Sequence, residues 1–252
     1  MASWPLFVAA GASIGGLLGV FGVGGSSIAT PMLSLLGVAP LQAIASPLPA
    51  TVPAALLAAL PYLRDRDSRP RAAGWSLVGG VPATIVGALL SRVVGGNALL
   101  VMSGFVLVIV GQRVLRPIGQ AARDAGAARR NNRPLLVAAA AVVGLFTGLL
   151  ANGGGFLLVP MYLLVFGLDM REAVGTSLLV IAVLTVPTLA THWALGHIDW
   201  SAAGAFALGA VPASALSARL ARRVGAETVR RAFGWLLTVF GVAFVVFRLA
   251  GA

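Results

Sequence analysis

The sequence predicts an all-α, polytopic membrane protein made of two homologous halves. Of its 252 residues, 59% are apolar and 10% are charged, whereas soluble domains carry about 25% charged residues. Residues 15–111 recur at 144–241, with matching glycines and prolines at spacings of 129 and then 130. In both copies the most regular feature is a glycine cluster within an apolar run. Paired broken helices in two halves are typical of secondary transporters.

Eight apolar runs follow one another along the chain. Most have the length of one membrane crossing, about 20 helical residues. The first run is interpreted as a membrane helix, because no arginine or lysine precedes it as one would in a cleavable signal peptide. The runs are 5–38, 42–63, 73–91, 97–115, 134–168, 173–195, 203–218 and 231–250.

Two of these runs, 5–38 and 134–168, are too long for a single crossing, since each would make a helix of about 50 Å. We expect breaks at 22–27 and 152–155, where residues of poor helix propensity fall together. If each broken run enters the membrane and returns, a half has five segments. The second half is then inverted relative to the first.

The arginines favour this inverted repeat. With both termini outside, sixteen arginines fall on the inner side and two on the outer side, as the positive-inside rule requires. Eight single-crossing helices in parallel repeats would divide them seven to eleven, and this arrangement is the alternative. The net charge of +11 is therefore attributed to topology in a bacterial inner membrane, and no binding of nucleic acid is expected.

Three regions follow from this organisation. Residues 1–115 form the first transmembrane repeat, 116–133 a cytoplasmic arginine-rich linker, and 134–252 the second transmembrane repeat. We expect the linker to be a plain tether. The chain contains no cysteine, which excludes disulfides and thiolate metal sites, and neither a metal nor a cofactor is expected.

The two breaks are expected to face each other and to bind an anion. Irregular backbone at membrane depth is tolerated only inside protein or beside a water-filled cavity. A helix begins after each break, and its unpaired N–H groups and partial positive charge attract anions. The alternative role of glycine is close helix packing, which we favour for Gly11, Gly15 and Gly19 because they are spaced by four. The candidate site residues at the breaks are Gly24, Gly25, Ser26, Ser27, Thr30, Asn152, Gly153, Gly154 and Gly155.

A second set of polar residues follows each break by about twenty residues, at Ser46 in the first half and at Thr176 and Ser177 in the second. If the short helix turns back, this spacing places them near the depth of the breaks. They are candidate substrate-binding residues. Equally, a serine or threonine in a membrane helix often bonds only to nearby backbone.

Few ionisable residues lie near the membrane interior. His192 is a candidate for carrying a coupling proton, against a structural histidine at headgroup level. No carboxylate lies deep in an apolar run, but Asp169 and Glu172 beside Arg171 are candidates for a gate at the inner mouth.

The motifs around the breaks resemble those of the TauE/SafE family of sulfite and sulfonate exporters. They are GASIGGLLGVFGVGGSSIATPML, its echo VGLFTGLLANGGGFLLVPMYL, and AVGTSLLVI after the second break. The resemblance covers nearly the whole chain and implies a permease for sulfite, a sulfonate or another small anion. The first half departs from the pattern, with Ala45-Ser46-Pro47 where the second has Gly175-Thr176-Ser177. The positions that match the family pattern are Gly24, Gly25, Pro31, Gly153, Gly154, Gly155, Pro160, Gly175, Thr176 and Ser177.

The sequence thus predicts a secondary permease that moves a small anion through a central site formed by two half-helix N-termini. A non-transporting membrane scaffold or assembly factor is the alternative. A membrane enzyme is not expected, because two histidines without a cysteine or buried carboxylate offer little for catalysis. Expected partners are the anionic solute and the lipid bilayer, with a homodimer left open.

Overall fold

The computed structural model describes residues 4–24, 26–90, 96–117, 120–130, 132–149 and 155–250, and within these ranges the chain is helical with no β-strand. The first half contains six helices. They are α1 (Trp4–Phe21), α2 (Ser26–Leu35), α3 (Pro40–Ala45), α4 (Leu48–Arg64), α5 (Pro70–Leu90) and α6 (Gly96–Leu115).

The remaining helices begin with one in the linker. The short helix α9 continues directly into a π-helical turn, Met161–Val165. The helices are α7 (Gln120–Arg129), α8 (Arg133–Leu149), α9 (Gly155–Pro160), α10 (Met170–Ala194), α11 (Trp200–Ala221) and α12 (Ala226–Ala250).

Four described helical segments are long and apolar enough to cross a membrane, namely α1, the segment Gln42–Arg64, α10 and α11. Of these, Gln42–Arg64 and α10 are the most enclosed, because 61% of the residues in the apolar stretch of each are buried. The corresponding share is 39% for α1 and 44% for α11. Both therefore lie at the centre of the molecule, and α1 and α11 are nearer its periphery. Shorter apolar helices cover Phe105–Leu115, Arg133–Leu149 and Phe156–Val165.

Local sequence sets the ends of α10. Asp169 caps its N-terminus and accepts a hydrogen bond from the Glu172 N–H over 2.8 Å, while the Glu172 side chain reaches back to the Asp169 N–H. This reciprocal capping box satisfies two N–H groups that the helix leaves unpaired. At the other end Gly196 has φ +69°, and the His197 N–H bonds to the His192 carbonyl over 3.0 Å. Such a Schellman motif ends a helix at a glycine.

Helices of different halves pack through glycines, and the same pattern occurs twice. A Cβ at Gly15 of α1 would overlap the carbonyl oxygen of Ala210 in α11. A Cβ at Gly144 of α8 would likewise overlap the carbonyl oxygen of Gly80 in α5. Along both pairs the contacting residue numbers rise together, so α1 runs parallel to α11 and α8 runs parallel to α5.

One end of the molecule gathers charged residues and is called here the arginine-rich end. It comprises the loop 65–69, α7, the first turns of α10 and α12, and the last turn of α11. Arg222 pairs there with Asp65, and the Arg230 guanidinium bonds to the carbonyl oxygens of Val114 and Arg116 at the end of α6. Helix α11 ends here and runs parallel to α1, so α1 starts at the opposite end. Helix α8 follows α7 and starts at this end.

The linker contains more than the expected tether. Helix α7 lies against the turn that follows the π-helical segment, and Gly126 and Gly167 approach so closely that a Cβ at Gly126 would overlap the Gly167 backbone. Arg130 donates a hydrogen bond to the carbonyl oxygen of Gly167. Short-range packing and this bond hold the helix, which composition alone did not predict.

Candidate functional site

The first glycine break lies at the end of α1. Gly22 adopts φ +62°, which is favourable only for glycine, and its N–H bonds to the Leu18 carbonyl over 2.8 Å. A Cβ at Gly22 would meet Val174 of α10. Gly24 is buried. The break expected at 22–27 is therefore present, and it lies against the start of α10.

The second break falls outside the described residues between α8 and α9. Its described margins are Leu149, at the end of α8, and Gly155, the first residue of α9. Phe156 follows and is 3% exposed. The start of a helix after this break is thus present, as expected.

Val23 of the first break and Phe156, at the start of α9, line one small cavity of about 20 Å³. Such a volume holds about one water molecule, so a polyatomic anion does not fit in this conformation. The described lining side chains are all apolar. They are Val23, Ile28, Leu107, Phe156, Leu236, Leu237 and Phe240.

The candidate residues at the breaks are distributed as follows. Gly24 is buried in the first break, and Thr30 is half-buried in α2. Ser26 and Ser27 lie in the first turn of α2, where the N–H groups of a helix are unpaired. Gly25, Asn152, Gly153 and Gly154 lie outside the described residues.

Thr176 and Ser46 are both fully buried, and both contact the opposite half. The Thr176 hydroxyl accepts a hydrogen bond from the Arg69 N–H over 3.0 Å and donates one to the Glu172 carbonyl over 2.6 Å. The Ser46 hydroxyl accepts one from the Asp199 N–H over 3.1 Å. The expectation of a bond to nearby backbone alone does not hold for either residue. The two hydroxyls also lie at opposite ends of the molecule and do not face one cavity.

Ser177 differs from its neighbour. It is fully buried, and its hydroxyl has no hydrogen-bond partner among the described residues. An unsatisfied buried hydroxyl costs free energy and calls for an explanation. Of the two candidate hydroxyls on α10, that of Ser177 is the one without a partner among the described residues.

Glu172 joins three elements at the arginine-rich end. Its Oε1 accepts hydrogen bonds from Nη2 and Nε of Arg69 over 2.8 and 3.1 Å, and its Oε2 lies 3.7 Å from Nη2 of Arg130. The expected neighbour Arg171 instead donates to the carbonyl oxygens of Arg222 and Val224. Arg171 and Glu172 thus have separate partners, because adjacent helix residues do not face each other.

An open cleft of about 480 Å³ lies beside this network, between α7, the turn before α10 and the start of α12. Its charged lining consists of Arg130, Asp169, Glu227 and Arg230. A hydrogen bond from Arg230 lowers the pKa of the Glu227 carboxyl to about 2. Each of these described charged groups has a partner within the protein: Arg130 pairs with Glu172, Arg230 pairs with Glu227, and Asp169 accepts the Glu172 N–H.

At the other end of α10, His192 and His197 are close neighbours. Their Nδ1 atoms lie 3.3 Å apart, which allows one ring to donate a hydrogen bond to the other. His192 is half-buried. The sequence placed His197 in the loop that follows α10, but it did not predict the contact.

The chain has two tyrosines, and sequence reasoning missed both. The Tyr62 hydroxyl donates to the Gly19 carbonyl just before the first break, over 3.2 Å. The Tyr162 hydroxyl shares a 2.6 Å hydrogen bond with Ser76 just after the second. Both rings are buried. A phenol in an otherwise apolar run is the signal that could have identified them.

Comparison with known proteins gives a family match over almost the entire chain. A family model described as sulfite exporter TauE/SafE matches residues 7–244. The probable membrane transporter protein YunE of Bacillus subtilis is 31% identical over 109 residues, which cover 43% of this chain and 40% of that protein. The probable membrane transporter protein YjnA of the same organism is 29% identical over 110 residues, 41% of this chain and 43% of that protein.

A probable membrane transporter protein of Xylella fastidiosa is 29% identical over 113 residues, 44% of this chain and 43% of that protein. The chain thus spans about two fifths of the length of the curated relatives that it matches. No solved structure matches it.

Proposed function

The chain belongs to the sulfite exporter TauE/SafE family, and we propose that it is a secondary permease for a small anion, with sulfite or a sulfonate as the first candidates. The relatives are named as transporters and not as enzymes. A multi-pass membrane protein agrees with the long apolar helices. We place it in the bacterial inner membrane with both termini outside, an orientation supported by the arginine distribution.

The observation that carries this proposal is that Val23 of the first break and Phe156, which follows Gly155, line one cavity. Val23 lies in the first break, Ile28 lies in α2 directly after it, and Phe156 lies in α9. We propose that the starts of α2 and α9 present unpaired N–H groups and partial positive charge to the anion. An anion can therefore be stabilised at this depth without a buried arginine or lysine.

The solute-binding set that we propose combines both helix starts with the hydroxyls near them. The unpartnered Ser177 hydroxyl supports it, since a bound anion would supply the missing acceptor. The hydroxyls of Thr176 and Ser46 lie at the margins of the set and are bonded to loops in this conformation. The full set is Gly24, Gly25, Ser26, Ser27, Thr30, Ser46, Asn152, Gly153, Gly154, Gly155, Thr176 and Ser177.

We propose further that the halves, 1–115 and 134–252, form an inverted repeat of five segments each, joined by the linker 116–133. Two observations support it. The corresponding helices α1 and α8 start at opposite ends, and each packs through glycine on a helix of the other half. In such a fold the solute is carried when one half rocks against the other around a fixed site.

If a proton drives transport, the described residues offer His192 as its carrier. Its Nδ1 lies 3.3 Å from that of His197, so the pair can hold a proton between two rings. Replacement of His192 by alanine would then leave anion exchange intact and remove only the dependence of flux on a pH gradient. Unchanged pH dependence would assign the pair a structural role.

The decisive experiment is flux into proteoliposomes. Uptake and counterflow of labelled sulfite, sulfate and a small sulfonate are measured with and without a pH gradient. Saturable flux of one anion identifies the substrate class, and flux of none contradicts the proposal and favours a non-transporting scaffold. Gly154→Ala should abolish flux without unfolding the protein, whereas Gly204→Ala should not, because a Cβ at Gly204 meets nothing within 4 Å.

A further inference from the structure

One hydrogen bond between the halves occurs twice, with the halves exchanged. The Arg69 N–H bonds to Thr176 Oγ1 over 3.0 Å, and the Asp199 N–H bonds to Ser46 Oγ over 3.1 Å. The partners are 107 and 153 residues apart in the chain. The repeat spacing of 130 relates Ser46 to Thr176 and Arg69 to Asp199. Both bonds therefore join the same two positions of the repeat.

Each bond closes one end of the molecule. Arg69 and Thr176 lie at the arginine-rich end, where the loop 65–69 covers the second turn of α10. Asp199 and Ser46 lie at the opposite end, where the loop 195–199 covers the turn between α3 and α4. Both hydroxyls are fully buried, so neither loop can leave without exposing a polar group that had been paired.

The bond at the arginine-rich end is directly beside the first break. Val174, two residues before Thr176, touches Gly22. Between them, Gly175 lies so close to the loop 65–69 that a Cβ there would overlap the carbonyl oxygen of Asp67. A displacement of the loop 65–69 therefore also displaces Gly175 and, through Val174, the first break.

The contacts that close the two ends differ in strength. At the arginine-rich end, Glu172 also accepts hydrogen bonds from the Arg69 guanidinium and forms an ion pair with Arg130, directly after α7. At the other end, no ion pair joins the described residues around Ser46. A half-buried, charge-assisted contact is stronger than a neutral hydrogen bond, so the arginine-rich end opens less readily.

We propose that the Thr176–Arg69 and Ser46–Asp199 hydrogen bonds are the two gates of alternating access, and that Glu172 biases the resting protein toward opening at the Ser46 end. The proposal rests on the proposed transport function, because gates at both ends matter only to a protein with a central site. Opening one gate requires its loop to leave the hydroxyl while the other bond stays intact.

The test measures access from each side to the cavity that Val23 lines. The chain has no cysteine, so Val23→Cys, in the cavity lining, provides the sole thiol. A membrane-impermeant thiol reagent is applied to sealed vesicles from one side at a time. Thr176→Val should raise the labelling rate from the arginine-rich side alone, and Ser46→Ala from the other side alone. Loss of one net hydrogen bond predicts a rise of about two- to tenfold.

Two variants serve as controls in the same helix. Thr176→Ser keeps the hydroxyl and should label like the parent. Thr185→Val removes a buried hydroxyl that bonds only to the Ile181 carbonyl of its own helix, and it should also label like the parent. The gate proposal would be overturned if Thr176→Val or Ser46→Ala raised the labelling rate equally from both sides. It would also be overturned if Thr185→Val raised the labelling rate as much as Thr176→Val.

The bias has its own readout. In the parent, labelling from the Ser46 side should be faster, and Glu172→Gln should reduce or reverse that preference. Faster labelling from the arginine-rich side of the parent would overturn the bias. Because labelling requires no substrate, one-sided acceleration without flux of any tested anion would retain the gates and reject the substrate assignment, whereas flux without one-sided acceleration would do the opposite.

Discussion

Glycine allows backbone to touch backbone at two corresponding positions, Gly15 and Gly144. Any Cβ there would overlap a carbonyl oxygen of the neighbouring helix, at Ala210 or at Gly80. Between membrane helices, where lipid is as apolar as the side chains, such close approach is a main source of association. The packing role expected for Gly11, Gly15 and Gly19 is confirmed, since all three face the backbone of α11.

Gly15→Ala is therefore expected to destabilise the protein by about 1–3 kcal/mol, the usual cost of overpacking a tight contact. Its neighbour Gly16 provides the control, because a Cβ at Gly16 meets nothing within 4 Å. Gly16→Ala should be neutral or slightly stabilising. Thermal unfolding in detergent measures both, and equal melting temperatures for the two variants would contradict the contact.

Some side-chain partners were not predictable from the sequence. Glu172 was recognised as a candidate gate residue, but its partners Arg69 and Arg130 are remote in the chain. Arg171, the neighbour of Glu172 in the sequence, is directed by the helix toward the end of α11. The choice among eighteen arginines depends on tertiary packing, which a single sequence does not specify.

At the scale of elements, the linker helix α7 is the clearest departure from expectation. Its composition is polar and its helix spans Gln120–Arg129, a length that is marginal for an isolated helix in water. The contact with Gly167 supplies the stability that so short a helix lacks in isolation. The linker thus holds the turn that precedes α10 and is more than a tether between the halves.

Gly126→Val should undock α7, because its side chain would overlap the Gly167 backbone. Trypsin cleavage in the linker is then expected to accelerate several-fold, since proteolysis follows local opening. Ala128→Val is the control, because Ala128 is exposed and should not change the cleavage rate. Unchanged cleavage of both variants would show that the contact does not hold the helix.

Helix positions were more predictable than helix ends. The apolar run 173–195 corresponds to α10, but the helix begins at Met170 because Asp169 and Glu172 form a capping box. Gly22 was part of the break predicted from clustered glycines, and it has the positive φ that glycine favours. Apolar runs and glycine content thus identified elements, whereas caps decided where they begin.

At the scale of the whole molecule, the two ends differ in charge but share one design. Each end has a loop whose backbone N–H bonds to a buried hydroxyl of the other half. The repeat spacing in the sequence relates the two loops to each other and the two hydroxyls to each other. The sequence does not reveal that the positions of Ser46 and Asp199 touch, because spacing relates copies of a position and not contacts between positions.

Epitope tags in the loops 65–69 and 195–199 should report opposite sides of the membrane. The expectation follows from the charge difference, since four arginines lie in 64–71 and none in 194–201. Antibody binding to intact and permeabilised spheroplasts measures it. Tags on the same side for both loops would eliminate the inverted repeat and restore the parallel alternative.

The exchanged glycine contacts have a consequence for ancestry. Since α1 meets α11 as α8 meets α5, each half carries a surface that is complementary to its own copy, as in an isologous dimer. A half-length ancestor with this surface would have paired with a twin inserted upside down. After fusion of the two genes, each copy could acquire its own arginines. The ancestor, which inserted in both orientations, would thereby have become a protein with one fixed orientation.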